Sequence, residues 1–341
     1  MIDITLYRTA ECLPCDQLRE DLRGLQSEHP HRLLEIDITS DPALIEEYSA
    51  RVPVLSIGPY TKTAPFALSE LRITLGAARD RQAQLEKVGD PLYAWKKERA
   101  ASISAADRIS LWMSRHYLLA INLAVLIYVG LPFLAPVMMK AGWVAPATFI
   151  YRSYSLVCHN LAFRSWFLFG EQAAYPRAAA AVPGLEPFGV ATGLSEGNTN
   201  SELLIARRYI GDERVGYKVA FCERDVAIYA GILLFGLLFG LTGRSVRGFP
   251  VYLWILIGLG PIGLDGFSQL LSQIQIGFVP DLLNLEYRES TPLLRTLTGG
   301  LFGFATAWFG LPLLEETFAE SRRTLIVKFK RLAEKEAQAG L

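Results

Sequence analysis

Three groups of residues have types and spacings that can do chemistry. The first is Cys12-Leu13-Pro14-Cys15. Two thiols one helical turn apart can close a disulfide. A thiol at the start of a helix also meets free N–H groups and the positive end of the helix dipole, which favour thiolate. Cys12 is the expected nucleophile and Cys15 the residue that resolves a mixed disulfide. Metal binding by the pair is the other reading, and Glu11 beside Cys12 opposes thiolate formation. The second group is Cys158-His159, followed by Arg164, and the third is Cys222-Glu223-Arg224-Asp225. Thiolate, imidazole and carboxylate all ligate zinc, so Cys158, His159, Cys222 and Asp225 make a candidate metal set. A Cys158–Cys222 disulfide is the competing chemistry. Asp265 with Gln269 one turn later, and Glu289-Ser290 with Arg295, add further polar groups. Asp265 or Glu289 could act as general base, and Arg164 or Arg295 as an anion clamp.

Two kinds of structure must position these groups. Residues 1–88 alternate short strand and helix patterns: Ile2–Tyr7 as a strand, a helix after Cys12 through Leu25, a strand at His31–Ile38, a helix at Pro42–Ala50, a strand at Val52–Gly58 and a helix over 69–87. A β-α-β-α-β order with Cys-x-x-Cys just after the first strand is the thioredoxin arrangement. Residues 89–115, with Trp95, Lys96, Lys97, Arg99, Arg108, Trp112 and Arg115, read as an amphipathic linker helix on a lipid surface. Residues 116–318 hold four stretches able to cross a bilayer: Tyr117–Val137, Val226–Thr242, Pro250–Leu264 and Leu297–Leu314. A fifth apolar patch, 144–170, is interrupted by Arg152, His159 and Arg164, and reads as re-entrant or interfacial. Residues 319–341 form a basic tail.

The chain has 341 residues, 34 basic and 34 acidic, so it carries no net formal charge. That balance gives no case for nucleic acid. Charge is dense at the two ends and sparse between. The opening MIDITLYR lacks the basic-then-apolar order of a cleavable signal. Basic residues precede the first span, fill the loop at Arg244 and Arg247, and recur in the tail at Arg322, Arg323, Lys328, Lys330 and Arg331. Four crossings place all three in the cytoplasm, with 171–218 outside; five would put the tail outside. The expected protein is thus multipass in the cell membrane, with cytoplasmic N- and C-termini. Four cysteines are too few for a disulfide scaffold.

The segment DITSDPALIEEYSARVPVL, residues 37–55, resembles the short glutaredoxin-like family, and the likeness covers about residues 3–80. It implies a cis Pro53 facing the cysteines and a thiol partner such as glutathione or a thioredoxin-type reductant. Tyr7 and Arg8 are expected to border the groove for that partner. Residues 150–303 resemble a family of multipass membrane proteins of unknown function (domain of unknown function 2085). The likeness rests on Cys158-His159, Arg164-Ser165, the Cys222-to-Gly231 helix start, Leu264-Asp265-Gly266 with Gln269, Glu289-Ser290 and Thr298-Gly299. Many relatives have a cysteine where this chain has Asp225. That family implies positions and no reaction.

The expected fold is therefore an α/β thioredoxin-like head on an all-α membrane domain. The expected activity is thiol–disulfide oxidoreduction at the membrane, with the lipid bilayer and a thiol or disulfide compound as partners. The alternatives are a metal-dependent membrane enzyme, zinc being the candidate ion, with a site on the outer face, and a transport or structural protein with a regulatory redox head. Glycines such as Gly299, Gly300 and Gly303 suit close helix packing in any of these.

Overall fold

β1 (Ile2–Arg8) is rich in β-formers and buries Ile4 and Leu6 completely. It pairs in parallel with β2 (His31–Asp37) and antiparallel with β3 (Val54–Ile57), which pairs with β4 (Tyr60–Thr63). The resulting sheet has the order β2-β1-β3-β4. Helices α1 (Leu13–Gly24), α2 (Pro42–Tyr48) and α3 (Leu68–Val88) complete the head. Leu18 and Leu22 of α1 and Leu71 and Leu75 of α3 pack on one face with Ile4, Leu6 and Leu55. This is the thioredoxin-like head expected, with β4 as an additional edge strand. The computed structural model describes residues 2–273 and 287–339. It divides into two units, Met1–Tyr117 with Glu316–Leu341, and Leu118–Glu315.

In the first unit, residues 89–115 do not form one linker helix. α4 (Pro91–Ala100) ends before Ser104, and α5 (Ala105–Lys140) then runs directly into the first apolar stretch. The break follows from capping. The Ser104 hydroxyl accepts from the Asp107 N–H at 3.1 Å, and the Asp107 carboxylate accepts from the Ser104 N–H at 2.8 Å, a reciprocal cap that starts a new helix. Nor is the tail separate from the head. It continues as part of α11 (Pro292–Ala339), and its Ile326 and Val327 pack against the head cluster of Tyr7, Leu34, Ile36, Leu44 and Val54. Arg323 pairs with Glu47 at 2.9 Å, and the Lys330 ammonium donates to the Glu35 carbonyl.

The second unit is mainly helical. It contains α6 (Val144–Tyr154), the short α7 (Phe188–Thr192), α8 (Asn200–Arg208), α9 (Glu223–Leu241) and α10 (Val251–Gln273). Among the described residues, four helices are long and apolar enough to cross a membrane: α5, α9, α10 and α11. α6, with 11 residues, reaches about 16 Å and is too short to cross a core of about 30 Å. The unit also holds a three-stranded sheet, β5 (Ser165–Leu168), β6 (Gly211–Asp212) and β7 (Gly216–Cys222), in the order β5-β7-β6. β7 leads straight into α9 and so sets the position of Cys222 through Asp225.

Two local devices hold the helices. A Cβ on Gly231 would meet the Gly300 carbonyl at 2.6 Å, and one on Gly303 would collide with the Ile228 carbonyl. Glycine at both positions is what lets α9 and α11 touch backbone to backbone. In α5, Pro132 has no N–H to give to the Tyr128 carbonyl one turn before it. The Tyr154 hydroxyl supplies the missing donor at 2.6 Å. Replacing Tyr154 by Phe removes that donor in a water-poor setting. It should destabilise the detergent-solubilised protein by about 1–3 kcal/mol, and an unchanged unfolding midpoint would refute this role for the hydroxyl.

Candidate functional site

In the head, Cys12 is the N-cap residue of α1, and Pro14 occupies its first turn. The Cys12 sulfur accepts from the Cys15 N–H at 3.2 Å. The two cysteines form a disulfide with Cα atoms 5.2 Å apart. Cys15 is fully buried, Cys12 is partly exposed and Leu13 projects beside it at 86% exposure. Only the first sulfur is thus open to a partner. The Val52–Pro53 bond is cis, and Val52 packs against the same cluster as both cysteines. Glu11 is exposed. Tyr7 and Arg8 are both engaged with neighbouring side chains. Tyr7 is buried in a stack with Tyr48, ring centroids 4.1 Å apart, and Arg8 is taken up by Glu35 at 2.9 Å and Asp16 at 3.2 Å. Glu35 also accepts from Arg19 at 2.6 Å, which holds its carboxyl below the usual range. Arg8, Asp16, Arg19 and Glu35 are therefore paired to one another.

In the second unit, the residues singled out from sequence fall into three neighbouring sets, divided at the first turn of α9. Cys222 and Asp225 face Cys158, and the ligating atoms of these three lie within 4.8 Å of one another. The Cys222 thiol donates to Asp225 at 2.9 Å. Contact with Cys222 draws the Cys158 thiol down, while Cys158 together with burial pushes Cys222 well up. His159 is exposed and lies outside this group. Its neighbour Asn160 matters instead. Asn160 adopts φ of 50°, a left-handed conformation that asparagine tolerates better than most residues. This lets its N–H approach the Cys158 sulfur at 3.4 Å while its carbonyl accepts from Lys218 at 2.8 Å. Lys218 is itself buried, and burial lowers its ammonium to about 7. The walls are aromatic: Tyr128, Tyr154, Phe221 and Tyr229 meet at centroid distances of 4.7–5.8 Å.

The second set centres on Glu289. Its carboxylate receives Arg164 at 2.8 Å, Arg177 at 3.3 Å, Gln269 at 3.1 Å, Gln273 at 3.3 Å and, in closest contact, Arg295. Arg295 also reaches Glu223 at 3.4 Å. Arg177 donates to the Tyr287 hydroxyl at 2.9 Å and stacks over Phe163 with its guanidinium carbon 4.0 Å from the ring centre. The third set centres on Asp265, which takes Arg224, Arg288 at 2.9 Å and the Ser290 hydroxyl at 2.8 Å. Sequence reasoning singled out Arg164, Arg224, Asp265, Gln269, Glu289 and Arg295, but it missed Arg177, Arg288 and Lys218. Arg177 lies just before the Ala/Pro/Gly-rich stretch Ala178–Gly197, and it carries no local signal. Glu223, named in the Cys222–Asp225 run without a role of its own, pairs with Arg295.

A thioredoxin-like head with a Cys-x-x-Cys pair, attached to helices apolar enough to cross a membrane, defines a membrane protein with a thioredoxin-like domain. Comparison with known families is specific on both halves. Residues 3–75 match the family described as "Glutaredoxin-like domain (DUF836)", and residues 214–309 match "Predicted membrane protein (DUF2085)". The chain thus joins a glutaredoxin-like domain to a membrane domain. An uncharacterized protein of Methanocaldococcus jannaschii is 24% identical over 211 residues, which cover 60% of this chain and 96% of that protein.

The Glu289 set generates a stability prediction. Replacing Glu289 by Ala leaves Arg164, Arg177 and Arg295 without their shared counter-charge. Removing one partner from a buried ionic network typically costs about 3–5 kcal/mol. Thermal unfolding in detergent should drop sharply for Glu289→Ala and less for Arg164→Ala, since Arg164 is the more exposed partner. Equal stability of Glu289→Ala and the parent would show that the network contributes nothing.

Proposed function

We propose that the protein is a multipass cell-membrane thiol–disulfide oxidoreductase whose glutaredoxin-like head works in the cytoplasm. The observation that carries this reading is the asymmetry of the closed Cys12–Cys15 pair, one sulfur partly exposed at a helix start and the other buried. In the reduced head, the Cys12 thiolate attacks one sulfur of a partner disulfide. A mixed disulfide forms at Cys12, and the other partner sulfur leaves as thiolate. Cys15, deprotonated, then attacks the Cys12 sulfur, expels the second partner thiolate and closes the Cys12–Cys15 bond. A thiol of the glutathione or thioredoxin class returns the head to dithiol. The first turn of α1 favours the attacking thiolate through its unpaired N–H groups.

This chemistry can be tested on the full-length protein in detergent. Cys12→Ser should abolish exchange with a small aromatic disulfide. Cys15→Ser should instead accumulate a mixed disulfide, seen as a mass increase that dithiothreitol reverses. Parent-like behaviour of both variants would end the redox reading.

We further propose that both termini lie in the cytoplasm. Arg244 and Arg247, and the tail from Arg322 to Arg331, favour the cytoplasmic side. With four crossings the N- and C-termini are both inside and residues 171–218 are outside. Reporter fusions after Gly89, after Gly197 and at Leu341 should read inside, outside and inside. An outside signal at Leu341 would refute four crossings.

A further inference from the structure

We propose that Cys158, Cys222 and Asp225 are the protein ligands of one zinc-class divalent cation, with a fourth position open to water. This site lies in the second unit and does not depend on the head's redox role. A tetrahedral zinc centre has Zn–S bonds of about 2.3 Å and Zn–O bonds of about 2.0–2.2 Å, which puts ligand atoms roughly 3.5–3.8 Å apart. The three ligand atoms here lie within 4.8 Å of one another, so little movement separates the present arrangement from coordination.

The ligands come from segments that are already fixed. Cys222 ends β7, and Asp225 stands in the first turn of α9, three residues on. Cys158 follows α6, with its N–H bonded to the Tyr154 carbonyl at 3.0 Å. The Asn160 N–H points at the Cys158 sulfur, the kind of outer contact that orients a metal thiolate. Lys218 holds Asn160 in place through its carbonyl.

Charge supports the same assignment. Three acidic groups share a confined, largely apolar space, and a Cys222 proton bridges to Asp225. A divalent cation would take the place of protons: two thiols and one carboxylate bind M2+ and release two H+, leaving a centre of net charge −1. The start of α9 and the Lys218 ammonium complement that charge. Two thiolates select zinc over magnesium or calcium. His159 is exposed and contributes no ligand to the set.

The test uses full-length protein carrying Cys12→Ser and Cys15→Ser, so that the head can bind no metal. Purified from zinc-replete cells, it should contain about one zinc per chain. Cys158→Ser and Cys222→Ser should each lose it, while His159→Ala should retain it. Because the serine variants could fail to fold, Asp225→Cys is the second measurement. It should keep one metal, and after cobalt substitution its thiolate-to-metal absorption should rise in proportion to three thiolates in place of two. Zinc absent from the parent would overturn the site, whether Cys158 and Cys222 are then free or joined in a disulfide. Zinc retained when both are serine would overturn it equally.

Discussion

A carboxylate buried away from water needs counter-charge, and Glu289 has three arginines. Arg164 precedes β5, Arg177 lies in the long loop after it, and Arg295 stands in the first turn of α11, while Gln269 and Gln273 come from α10. One side chain therefore ties together four stretches of chain far apart in sequence. Removing these charges from water is expensive, and the cost is offset only while every member keeps its partners. Each arginine also has a second engagement: Arg295 with Glu223, Arg177 with Tyr287 and Phe163, Arg164 with the face of Phe163. The network orders a loop whose composition alone would leave it unstructured.

The first turn of α9 distributes its side chains among all three polar sets. Cys222 and Asp225 go to Cys158, Glu223 to Arg295, and Arg224 to Asp265. A helix turns about 100° per residue, so consecutive residues face different neighbours. Four consecutive polar residues at the end of an apolar helix are tolerable because each direction offers its own partner.

Much of the head was legible because its signals are local: alternation in β1, the Cys12 and Cys15 spacing, Pro42 opening α2. The four helices apolar enough to cross a membrane were legible from length and apolarity. β4 is four residues long, with Tyr60 and Lys62 half-buried and Thr61 and Thr63 exposed; it has no buried residue to announce it, and its pairing with β3 is a tertiary fact. The sheet β5-β7-β6 was hidden for a similar reason, since Phe167 opposes Lys218 across about fifty residues of chain. A lysine inside a strand reads as solvent-facing, yet Lys218 is buried because two carbonyls receive its ammonium. The adjacency of Cys158 and His159 suggested two ligands. Neighbouring residues rarely turn the same way, and here the histidine faces outward.

The backbone contact between α9 and α11 restricts how the second unit can move. With Gly231 against Gly300 and Gly303 against Ile228, neither helix can rotate about its axis without driving a carbonyl into a neighbouring turn. The divided first turn of α9 adds a second stop, because a twist of one residue would misalign three sets of partners at once. α9 and this part of α11 therefore have one shared set of rigid-body motions. α10 is differently placed: its apolar window is only 11% buried, against 33% for α9, and it contains a wide π-helical stretch at Trp254–Leu259 ahead of Pro261. α10 is thus the spanning-length helix with most of its apolar side chains turned outward, while its Asp265 and Gln269 are buried in the two carboxylate networks.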